Sequence, residues 1–134
     1  MDKVNLVSLR IITADIKRLV SFFEQATETT ANWSTDDFAE IKSGNFTLAI
    51  GSTRTLAFFG EGIAAPEANR SIIIEFLVEN VDECYERIKN LTSEIVQEPT
   101  TMPWGNRSLL FRDPDGNLIN FFTPVSEEAK KKFG

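Results

Sequence analysis

Glu75 interrupts the run Ile72-Ile73-Ile74-Glu75-Phe76-Leu77-Val78, and a carboxylate in so apolar a strand costs free energy unless something compensates it. Three compensations are open. Glu75 orients a cationic or hydroxylated ligand or works as a general base with its pKa raised by burial; it pairs with Arg10 or Arg107; or it reaches water. Trp104, between Pro103 and Gly105, either stacks on a planar ligand or anchors its loop. Arg107 either grips a carboxylate or phosphate through its fork of donors or pairs with an Asp or Glu. Cys84, the single cysteine, falls on an apolar helical stripe and reads as a buried, inert thiol. The chain has no histidine. His-based metal sites, Ser-His-Asp and Cys-His triads and imidazole pH switches are therefore excluded. Gly60-Glu61-Gly62 and Gly44-Asn45 match no phosphate-loop pattern.

The elements that position these residues follow from periodicity. A strand is expected over about 4–12, with Leu6, Ser8 and Arg10 on one face and Val7, Leu9 and Ile11 on the other. Asp15 then caps a helix whose Ile16, Leu19, Val20 and Phe23 form one apolar stripe. Strand-like runs follow at 37–42 and 46–50, joined by Ser43-Gly44-Asn45, with one more short strand expected at 55–59. The plan then repeats. A β-branched strand at 71–78 leads into Asn80-Val81-Asp82-Glu83, a capping box, and a helix with Val81, Cys84, Tyr85, Ile88 and Leu91 on its stripe. Strands follow at about 94–98, 106–112 and 117–123, the last two joined by the turn Asp113-Pro114-Asp115-Gly116. Gly44-Asn45-Phe46-Thr47-Leu48-Ala49-Ile50 lies over Gly116-Asn117-Leu118-Ile119-Asn120-Phe121-Phe122, so the chain reads as two βαβββ modules.

Composition sets the outer bounds. The 134 residues, 42% hydrophobic and 25% charged, suit one α+β domain with a packed core. We place module one at about 4–51, a connection at 52–70, module two at 71–124 and a charged, solvated end at 125–134. A net charge of −6 speaks against a nucleic-acid partner, and no apolar run reaches the roughly 20 residues of a membrane helix. One thiol and no secretory signal point to the cytoplasm.

The opening run Val4-Asn5-Leu6-Val7-Ser8-Leu9-Arg10, the junction Phe76-Leu77-Val78-Glu79-Asn80-Val81-Asp82, and Trp104-Gly105-Asn106-Arg107 with Phe111-Arg112-Asp113-Pro114-Asp115-Gly116-Asn117 together resemble the vicinal oxygen chelate superfamily. Glyoxalase I, extradiol dioxygenases and bleomycin-resistance binding proteins belong to it. The resemblance spans about residues 4–124. It implies an eight-stranded, incompletely closed curved sheet around a cavity with the helices outside, and a homodimer.

In metal-using members of that superfamily a divalent cation is held from the first and last strands of each module. Carried over, those positions fall on Leu6, Ile73 and Asn120, with Leu48 as the fourth, or Leu56 or Phe58 if the 55–59 run supplies the strand. A divalent ion needs four to six oxygen or nitrogen donors at about 2.0–2.5 Å, and these side chains offer one amide. No metal and no other cofactor is expected. Ser8, Arg10, Glu75 and Asn120 are then the polar points of an apolar cavity that Leu77 and Phe122 also line. Leu48, at its carried-over position, also lines the cavity; Trp33, Phe38 and Phe46 are expected on the other wall, Trp104 at the rim, and Arg107 among the ligand-binding residues. The first functional reading is a metal-free binding protein for an amphipathic or aromatic small molecule. The alternatives are a metal-independent lyase or isomerase with Glu75 as base and Arg10 or Arg107 stabilising an oxyanion, and a structural or regulatory dimer whose cavity is filled by its own side chains.

Overall fold

The computed structural model describes residues 3–134 and divides the chain into two compact units, one ending at Ala68 and the other running Asn69–Gly134. In the first, β1 (Ser8–Thr13) is followed by α1 (Ile16–Thr27), β2 (Asn32–Thr35), β3 (Phe38–Ser43) and β4 (Phe46–Ser52). The strand order is β1-β4-β3-β2, with β1 and β4 parallel. The second unit repeats the plan with β5 (Ile73–Leu77), α2 (Val81–Ile88), β6 (Ile95–Thr101), β7 (Asn106–Arg112) and β8 (Leu118–Pro124). Its order is β5-β8-β7-β6, with β5 and β8 parallel. Two open four-stranded sheets of identical order bear out the βαβββ repeat.

Capping starts both helices where the residue types require it. The Asp15 carboxylate accepts from the Arg18 N–H at 3.2 Å, and the Asn80 side chain accepts from the N–H groups of Asp82 and Glu83 at 3.1 and 3.3 Å. Such caps stabilise a helix by about 1 kcal/mol each. From α1, Ile16, Leu19, Val20, Phe22, Phe23 and Ala26 are buried, against Ile41, Leu48 and Ile50 of their sheet, which are 5% exposed or less. Val81 and Ile88 of α2 meet Leu109, Phe111, Ile119 and Phe121, all nearly inaccessible. Removing each such side chain from water stabilises the fold by about 1.5–3 kcal/mol. Among the described residues no helix is long and apolar enough to cross a membrane.

Three local expectations are corrected. The strand expected at 55–59 is a 3-10 helix, Thr53–Phe58. Side chains divert the backbone there: Ser52 Oγ accepts from the Arg54 N–H at 3.2 Å, and Thr55 Oγ1 donates to the Ser52 carbonyl at 2.7 Å. The first strand begins at Ser8 rather than residue 4, which leaves Leu6 outside it and 83% exposed. The charged C-terminus forms α3 (Glu127–Phe133), capped by Ser126 Oγ accepting from the Ala129 N–H at 3.1 Å. Ala129 is buried, and the Phe133 ring meets Phe122 edge-on at 5.0 Å between centroids.

Gly105 secures that last helix. Its φ is +96°, its carbonyl accepts from the N–H groups of Val125 and Ser126, and a Cβ there would overlap Ser126 Oγ and lie 2.7 Å from Ser126 Cβ. Gly105→Ala is therefore expected to cost about 1–3 kcal/mol and to release α3. Loss of the Phe122 ring-current shifts from Phe133 in an NMR spectrum would show the release; unchanged shifts would refute this role.

The two modules differ in one respect that the Gly-Asn match conceals. Ser43 pairs with Phe46, leaving Gly44 and Asn45 as a two-residue turn. Arg112 pairs with Leu118 across residues 113–117. The matched Gly-Asn dipeptides thus sit in turns of different length and cannot carry register from one module to the other. A slip of one residue moves every side chain to the opposite face.

Candidate functional site

Cross-strand register fixes which side chains share the face of the second sheet that α2 leaves uncovered. Ile73 pairs with Leu118, Glu75 with Asn120 and Leu77 with Phe122. Across β8, Leu118, Asn120 and Phe122 pair with Arg112, Leu110 and Ser108. Ile73, Glu75 and Leu77 therefore lie in rows with Leu118, Asn120 and Phe122, as alternation predicts. The side chains of β7 extend those rows and were missed. The turn length carries the signal, since pairing 112 with 118 puts the even-numbered residues of both strands on one face.

The centre of this face is a polar couple. Asn120 Nδ2 donates to Glu75 Oε2 at 2.9 Å, and Asn120 is 8% exposed with its Oδ1 unpartnered. On either side along β5, Ile73 and Leu77 are 48% and 53% exposed. At the Leu77 end a groove of about 460 Å³ runs beside Glu79, Thr123, Lys130 and Phe133. At the Ile73 end a smaller one of about 180 Å³ is lined by Asn69, Arg70, Arg112 and Leu118. Phe122 itself is 6% exposed beneath Phe133.

Of the two arginines suggested for Glu75, Arg107 is engaged by another acid and Arg10 lies against aromatic rings. Arg107 lies on the α2 side of β7 and forks onto Asp82, with Nε to Oδ2 at 2.9 Å and a terminal nitrogen to Oδ1 at 3.0 Å. The hydrogen bond from Arg107 holds the Asp82 carboxyl below its ordinary pKa. Arg107 thus has the acidic partner that was its structural alternative, and it ties α2 to the sheet. The guanidinium of Arg10 lies 5.0 Å from the Phe38 ring and 5.8 Å from the Phe59 ring, close enough for weak cation–π attraction. Trp104 is 67% exposed in the loop before β7.

In the first unit Ser8 and Arg10 share a face with Thr47 and Ala49, while Leu9 and Ile11 pair with Leu48 and Ile50. Phe46 and Leu48 are thus on the α1 side, not beside Ser8 and Arg10 as the Gly-Asn match required. Leu48 is 5% exposed. Trp33 pairs with Ala39 on that same side, and Phe38 keeps the expected face with Arg10.

This donor set does not fit a divalent ion. Leu6 lies outside β1, Leu48 is buried under α1, and Ile73 and Asn120 bring one amide to a face where Glu75 is the carboxylate bonded to it. Among the described residues no three His, Cys, Asp or Glu side chains are grouped to hold a metal. One carboxylate and one amide would leave most of the ion's shell to be filled by solvent.

Comparisons with known proteins agree with this architecture. Residues 5–121 match the Glyoxalase/Bleomycin resistance protein/Dioxygenase superfamily. A fosfomycin resistance protein, FosX of Listeria innocua, is 27% identical over 129 residues, covering 96% of each chain. An uncharacterised Bacillus subtilis protein, YraH, is 26% identical over 125 residues, 89% of this chain and 98% of that one. Among solved structures, a protein of unknown function from Agrobacterium tumefaciens superposes with a TM-score of 0.78 at 23% identity, covering 93% of this chain and 98% of its own. The chain belongs to the Glyoxalase/Bleomycin resistance protein/Dioxygenase superfamily.

Proposed function

We propose that the protein binds a small molecule without a metal, holding an amphipathic or aromatic ligand on the uncovered face of β5, β8 and β7. One observation carries the reading: half-exposed Ile73 and Leu77 flank the hydrogen-bonded Glu75–Asn120 couple. Apolar surface around a few placed polar groups is the usual make-up of a small-molecule site. Within this reading Glu75 and Asn120 with Ile73 and Leu77 contact the ligand, Phe122, covered by Phe133, backs the site from beneath, Trp104 reports on it, and Ser8 and Arg10 serve the corresponding face of the first unit. The Listeria innocua relative is named for resistance to an antibiotic, and sequestering a toxic compound suits such a face. The free thiol of Cys84 supports a cytoplasmic setting. The exposed Leu6, Phe58, Phe59 and Ile63 support a homodimer, which a monomer in sedimentation at micromolar concentration would refute.

Screening aromatic amphiphiles by tryptophan fluorescence tests the reading. Saturable quenching that chelator leaves unchanged, with no product formed, is expected. Ligand at a hundred times its Kd should then add about 2.7 kcal/mol of stability. Turnover that disappears in Glu75→Gln would replace binding with metal-independent catalysis.

A further inference from the structure

The geometry points to a nitrogen cation, an ammonium or amidinium group on the ligand, as the partner of Glu75 and Asn120; the inference rests on the binding reading above. An ionised carboxylate only accepts hydrogen bonds, so it takes the NH2 edge of the Asn120 amide and turns the carbonyl edge away. That bond is present, Nδ2 to Oε2 at 2.9 Å. The opposite edge is the anomaly. Asn120 is 8% exposed, and its Oδ1 has no donor, although buried acceptors are almost always satisfied.

The neighbours do not supply that donor. In the rows around Asn120 stand Ile73, Leu77, Leu110, Leu118 and Phe122, whose side chains have no polar hydrogen, and Ser108, whose hydroxyl makes no hydrogen bond to the Asn120 Oδ1. The two arginines of β7 are engaged elsewhere: Arg107 with Asp82, and Arg112 with the Gly116 carbonyl at 2.9 Å. What remains is a buried carbonyl oxygen with no donor of its own beside a carboxylate, two acceptor groups carrying one formal negative charge. The complement is a group with several N–H bonds and a positive charge. An amidinium fork spans two acceptors at once, while Ile73 and Leu77 offer apolar shoulders to the ring that carries it. A ligand carboxylate or phosphate would face the like charge of Glu75 and be disfavoured.

Benzamidine, benzamide and benzoate form a matched set of probes, alike in ring and different in charge. Binding is read from the Asn120 side-chain NH2 resonances of the 15N-labelled protein, in wild type and in the near-isosteric Glu75→Gln. In wild type, benzamidine is expected to bind about tenfold or more tightly than benzamide, with benzoate weakest. In Glu75→Gln the preference should fall to about twofold or less while benzamide binding persists. Equal binding of benzamidine and benzamide by wild type would overturn the cation and leave small-molecule binding standing. A preference that survives Glu75→Gln would overturn this couple as its source. No shift with any probe at about 10 mM would remove both the inference and the reading beneath it.

Discussion

Phe121→Ala is expected to remove about 3–5 kcal/mol of stability, a large share of the 5–15 kcal/mol typical of folded proteins. Phe121 lies on β8, which is bonded to both β5 and β7. It is 2% exposed, with the Phe76 ring at 5.4 Å and the Phe111 ring at 5.1 Å, both edge-on. Truncation therefore removes a ring from the point where three strands and two aromatic neighbours converge, and strands hydrogen-bonded on both sides cannot collapse into the space. Urea unfolding measures the loss. A change below about 1 kcal/mol would mean that this packing is not what holds the unit together.

Asp113→Ala is expected to cost about 2–3 kcal/mol near neutral pH. The Asp113 carboxylate is buried and accepts from the Asp115 N–H at 2.9 Å, the Asn117 N–H at 2.9 Å and Asn117 Nδ2 at 2.7 Å. Alanine strands all three donors at the turn that sets the β7–β8 register. The pH dependence has a definite sign. Burial raises the Asp113 pKa, outweighing the hydrogen bonds from Asn117 and Asp115. A raised folded-state value means that this titration favours folding below the unfolded-state pKa of 3.8 and loses that contribution as pH rises through the raised value. Asp82 runs the other way, since its lowered pKa contributes stability above 3.8 that is lost as pH falls. The gap between wild type and Asp113→Ala, followed by urea unfolding from pH 3 to 7, should therefore narrow as pH rises past the Asp113 titration. A widening gap would contradict the assignment of burial as the dominant cause.

Much of this architecture is legible in residue types because local physics decides it. Asp15 and Asn80 mark helix starts by their side-chain acceptors, and Ile74, Phe76, Ile119 and Phe121 alternate as a strand packed on a helix must. Long-range geometry is where reading by pattern stops. Leu48 looked equivalent to Asn120 because both follow Gly-Asn by the same interval, yet the turns differ in length and the faces invert. The short strand Asn32–Thr35 has one large apolar residue, Trp33, and so no alternation to detect. The helix Glu127–Phe133 is polar along most of its length; its anchors are Ala129 and Phe133, and its seat is the glycine at 105. The partner of Arg107 was open among several acids, and only the fold brings Asp82 within 3 Å of it.

Glu75 shows the same boundary from the functional side. Its oddness in an apolar strand is plain in the sequence, and its pairing with Asn120 follows from strand register. That Asn120 keeps an unsatisfied oxygen is visible only once neighbouring side chains are placed. On this face the Glu75 carboxylate is met by the Asn120 amide rather than by either arginine the sequence suggested.

The most direct test follows the Asn120 side-chain resonances during a manganese(II) titration, and then repeats the benzamidine titration in excess chelator. Selective paramagnetic broadening of Asn120 should be absent, and benzamidine should bind with the same affinity with or without chelator. Site-selective broadening, together with binding that chelator abolishes and added manganese restores, would contradict the account.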